Sequence, residues 1–133
     1  MKSDEQIVCE LREASAGLLF MSESDYPFEV VLWKGQAEIS PEFLRQLTDE
    51  ASDATVQTQS VEEFFRVAAS EAEWRSAEEL VEAKRYQALI SLMKENLSEL
   101  KVYRVGQTNI PVYIVGKSLS GNWLGLATRV VET

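Results

Sequence analysis

Apolar residues along this chain recur at two spacings, and the alternation between them outlines the elements. Ile7, Leu11, Ala14 and Leu18 fall three to four residues apart. That spacing predicts a first helix, capped by Asp4 and stopped at Gly17. Ser40-Pro41-Glu42 places a cap and then a proline where a second helix would start, with Phe43, Leu44 and Leu47 inward. Ser60-Val61-Glu62-Glu63 reads as a capping box ahead of Phe64, Phe65, Val67 and Ala68. A second capping box, Ser76-Ala77-Glu78-Glu79, opens the longest helix, to about Leu97, with Tyr86, Ile90, Met93 and Leu97 on one side. Strands are expected at Glu29–Lys34, Thr55–Gln59, Val102–Val105, Ile110–Val115 and Trp123–Val131. Pro111 has no N–H to give a ladder, so it belongs at a strand start or on an edge.

Five strands and four helices, ending in an antiparallel meander, predict one α/β or α+β layered domain over residues 1–133. The pattern is most pointed between Gly17 and Trp33. Leu18, Leu19, Phe20 and Met21 are apolar, as are Val30, Val31, Leu32 and Trp33; between them lies the turn-forming run Ser22-Glu23-Ser24-Asp25-Tyr26-Pro27. A loop clamped on both sides by core-bound segments holds a carboxylate in a defined place, and Glu23 is the candidate.

Charge narrows the partners. The chain carries 22 acidic and 13 basic residues, a net charge of −9. Residues 1–29 hold seven acids against Lys2 and Arg12, whereas from residue 101 onward Lys101, Arg104, Lys117 and Arg129 outweigh Glu132. An acidic chain is repelled by phosphates, so direct nucleic-acid binding is not expected and a basic partner is. No apolar run reaches the roughly 20 residues that span a bilayer. With Cys9 as the one cysteine, no internal disulfide is expected and the natural compartment is the cytoplasm. Cys9 itself reads as a small buried or half-buried helix residue.

Candidate chemistry is sparse. Histidine is absent, which removes the commonest general base and metal ligand. The six glycines are scattered and form no phosphate loop. An enzyme is therefore not expected, and no cofactor of its own. Glu23 and Asp25 stand two apart, as a solvated turn or as a directed pair. Trp74, among charges in Glu71-Ala-Glu-Trp-Arg-Ser76, either covers the end of the long helix or is an exposed aromatic anchor.

Nearly the whole chain resembles the nuclease A inhibitor-like proteins, most closely in four runs. These are Gly17-Leu-Leu-Phe-Met-Ser-Glu-Ser-Asp-Tyr-Pro-Phe-Glu-Val30, Val102-Tyr-Arg-Val-Gly106, Val112-Tyr-Ile-Val-Gly116 and the terminal Val130-Val-Glu-Thr133. Residues 35–60 match only loosely. The resemblance implies a three-layer α/β/α sandwich with a largely antiparallel sheet, and one-to-one blockade of a magnesium-dependent, sugar-non-specific DNA/RNA endonuclease. It places Glu23 at the partner's catalytic centre, the Thr133 carboxylate on the partner's magnesium ion, and Trp74 as a further contact. Asp25 and Glu132 flank these positions and complete the expected partner-binding set. The alternatives are a same-fold domain that binds another protein or small ligand without inhibiting nucleases, and an enzyme using Glu23 and Asp25.

Overall fold

A computed structural model describes residues 3–21, 25–34, 40, 42–44, 55–66, 76–106 and 109–131. Helix α1 is Asp4–Ser15. Its cap is Ser3 rather than Asp4: the Ser3 hydroxyl accepts from the Gln6 N–H at 3.2 Å, and the Gln6 side chain accepts from the Ser3 N–H at 2.9 Å. Asp4 sits in the first turn and accepts hydrogen bonds from Asn122 at 2.8 Å and Ser120 at 3.2 Å, tying the helix start to a distant turn. The Asn122 bond leads the effects that hold its carboxyl below the ordinary value.

Strands β1 (Leu19–Met21) and β2 (Asp25–Pro27) form a small antiparallel pair, where a loop had been expected. Strand β3 (Glu29–Trp33) and β4 (Val56–Gln59) follow, then α2 (Val61–Phe65) and α3 (Ala77–Asn96). Both capping serines, Ser60 and Ser76, accept from the N–H three residues on, as their spacing predicts. The chain closes with β5 (Ser98–Val105), β6 (Asn109–Lys117) and β7 (Trp123–Val131).

The main sheet is antiparallel, ordered β3-β7-β6-β5-β4. β5 starts earlier than the apolar pattern suggested, because a bulge between Ser98 and Lys101, with Glu99 at φ 53°, carries polar residues into the ladder. Pro111 lies third in β6, near the start of a central strand. Gly125 is required by close approach: a Cβ there would fall on the Ile114 carbonyl oxygen.

One face of the sheet meets the helices. Ile7 and Leu11 of α1, Phe65 of α2, and Tyr86, Leu89 and Met93 of α3 share a core with Val102, Val112, Ile114, Leu124 and Leu126. Cys9, two residues from Ile7 and so turned about 200° around the helix, is exposed, correcting the buried or half-buried expectation. The opposite face buries Val105, Val115 and Trp123. Trp33 packs there between Phe43 (5.1 Å) and Tyr113 (5.3 Å). Residues 42–44 are helical, at the place of the expected second helix. No helix among the described residues is long and apolar enough to cross a membrane.

Candidate functional site

The segments that lead to the expected contact residues leave one end of the sheet. α1 ends under a clamp from α3: the Arg85 guanidinium donates to the carbonyls of Ala16 (2.6 Å) and Ala14 (3.2 Å). These carbonyls are the acceptors a helix end leaves without internal partners, and a cation there also suits the helix dipole. Gly17, at φ 77°, then turns the chain, and buried Leu18 anchors it.

β1 and β2 pair Leu19 with Pro27, Phe20 with Tyr26 and Met21 with Asp25, the last pair being the residues that bound 22–24 in the sequence. β3 joins β7 at Glu29 opposite Ala127 and runs antiparallel to it. Traced backward from Glu29, the chain therefore heads toward the end at which β7 finishes. Past Ala127 β7 has no β3 partner. There the Thr128 hydroxyl donates to the Pro27 carbonyl at 3.0 Å, with the Tyr26 carbonyl at 3.5 Å, and fastens the small hairpin to the last strand. β7 continues to Val131, opposite Asn109 on β6.

The long helix points the same way. A Cβ at Gly116 would touch Leu97, so α3 ends beside the β6–β7 turn, while mid-helix Tyr86 already reaches Phe28 (6.1 Å) just before β3. The first turns of α3, and Ser76 ahead of them, therefore extend toward the end of the sheet where the hairpin sits.

Of the expected contact residues, Asp25 is placed by its backbone as the first residue of β2. Glu23, Trp74, Glu132 and Thr133 lie outside the described residues. The structure thus brings together strands that lead to Glu23 and to Thr133. Arg85 and Thr128, which hold the arrangement, were not singled out in the sequence: a lone arginine on a helix and a threonine in a strand carry no local signature of a long-range bond.

Comparison with known families decides the lineage. The family model described as nuclease A inhibitor-like protein matches residues 5–133. The chain belongs to that family. None of the curated proteins matches this sequence. Membership bears on the whole domain, since the match runs from the second residue of α1 past the end of β7.

Proposed function

We propose that this chain is a protein inhibitor, not an enzyme, that blocks a magnesium-dependent, sugar-non-specific endonuclease in a one-to-one complex. The observation that carries the reading is the bond from Thr128 to Pro27, which pins the hairpin flanking Glu23 to the strand that runs on to Thr133. Family membership supplies the class of partner.

In this reading Glu23 and the Thr133 carboxylate enter the nuclease cleft together, with Asp25 and Glu132 beside them and Trp74 as an apolar anchor. Such nucleases grip phosphate with basic side chains and a hard cation that prefers oxygen ligands. Carboxylates present oxygens and negative charge where the scissile phosphate would lie, with no ester to cleave. Charge-assisted bonds to Arg or Lys are roughly twice as strong as neutral ones. The net charge of −9 speeds encounter with a basic cleft.

The test is titration of this protein against several magnesium-dependent endonucleases. Wild type should inhibit stoichiometrically, while Glu23→Ala, or a peptide tag fused after Thr133, should weaken inhibition by more than about 2 kcal/mol. Equal inhibition by wild type and both variants would overturn the mechanism.

A further inference from the structure

Beside the hairpin, on the sheet face away from the helices, lies an open cleft of about 270 Å³. Its floor is set by one row across three strands: Glu29 on β3 stands opposite Ala127 on β7, and Ala127 opposite Tyr113 on β6. Ala127 contributes only a methyl, so the space between Glu29 and Tyr113 is left open. Tyr26 and Pro27 of the hairpin form one rim, and Arg129 stands on the neighbouring row.

The charges in this cleft are not spent on each other. Glu29 is exposed, and among the described residues neither it nor Arg129 makes an ion pair. Both act on the Tyr113 phenol. Burial first lifts Tyr113 above its ordinary value, Arg129 draws it down and Glu29 raises it further.

We propose that this cleft receives a basic side chain, Arg or Lys, from the nuclease, with Glu29 as its ion partner. The proposal rests on the inhibitor reading for the identity of the partner, and on the cleft alone for the chemistry. Aromatic rings and a proline accept the methylene stem of a long cation, and ring faces attract its charge. A carboxylate at the rim completes the recognition. A nuclease surface that tracks phosphates is rich in such side chains. Arg129, on the next row of β7, opposes the cation, so Glu29 must outweigh it.

The chemistry is tested on the protein alone, by NMR titration with N-acetyl-arginine amide and, in parallel, N-acetyl-glutamate amide. The arginine probe should shift the Ala127 methyl and Tyr113 ring signals saturably, and the glutamate probe should leave them in place. Glu29→Gln should weaken the arginine probe severalfold, and Arg129→Gln should strengthen it. The proposal is overturned if the glutamate probe binds there instead, if neither probe moves these signals, or if Glu29→Gln binds arginine as wild type does.

A nuclease assay separates the two readings. Glu29→Gln should raise the inhibition constant roughly tenfold, the scale of one useful charged contact. Should Glu29→Gln inhibit like wild type while Glu23→Ala does not, the cleft is not used and the inhibitor reading stands. Should wild type inhibit no nuclease while the arginine probe still binds, the inhibitor reading falls and the cation-accepting cleft remains.

Discussion

On the helix-covered face of the sheet, one row reads Val30, Leu126, Ile114 and Val102 across β3, β7, β6 and β5. One residue along each strand, on the opposite face, the row reads Glu29, Ala127, Tyr113 and Tyr103. The same backbone ladders hold both rows, so the difference lies wholly in the side chains. The first row is continuous and aliphatic, with nothing on it to recognise a partner. The second mixes charge, aromatic rings and a gap, and is too polar to be a second core of equal weight. The larger core lies on the helix side of the strands; the other side buries Val105, Val115 and Trp123 and leaves charge and an open gap beside them.

Substitutions one position apart should separate the two roles. Leu126→Ala removes a fully buried side chain from the helix face and should cost about 2–5 kcal/mol in urea unfolding. Tyr103→Phe, on the other face, should stay within about 0.5 kcal/mol of wild type in the same measurement. Gly125→Ala tests the backbone shared by both faces. Its methyl would press on the Ile114 carbonyl, and the strands must part, at about 1–3 kcal/mol in the same assay.

Arg85→Gln removes the charge that clamps the end of α1 and should cost about 1 kcal/mol, with Arg85→Lys recovering part of it. If both variants unfold like wild type, the clamp adds nothing to the hairpin's anchorage. The smallest effect is at high pH. Burial, the leading cause, raises both Tyr103 and Tyr113 above 10.0, so the fold favours their neutral form. Their contribution is complete below the unfolded value and is lost as pH rises through the raised folded value. A Tyr103→Phe/Tyr113→Phe variant should therefore show a shallower alkaline fall in melting temperature than wild type. Equal slopes would mean the two phenols ionise as freely as in the unfolded chain.

Much of the helical layer was legible because capping is local. Ser60 and Ser76 announce α2 and α3 by a serine with a glutamate three residues on. At α1 two good caps stand side by side, and Ser3 wins because Gln6 can return its bond. The β1–β2 pair was hidden because three-residue strands are too short to show a period of two. The meander of β5, β6 and β7 could be read from its turns, but not the docking of β3 on β7, which depends on packing between residues far apart in the chain, as Glu29 and Ala127 are. For the site, the Met-Ser-Glu-Ser run and the terminal residues carried the family resemblance. The cleft was invisible, because Glu29, Tyr113 and Ala127 become neighbours only through that same long-range register.

The insertion of β7 between β3 and β6 also leads to an expected order of assembly. Among the described residues β3 pairs in the main sheet only with residues 123–127, so during synthesis its edge waits while the intervening chain is made. A β3 left open for that long is exposed to wrong pairings, and non-local closure of this kind is slow. Maturation of the fold is therefore expected to begin with the β5–β6 hairpin against α3, and to finish when the last strand slides into its slot between β3 and β6.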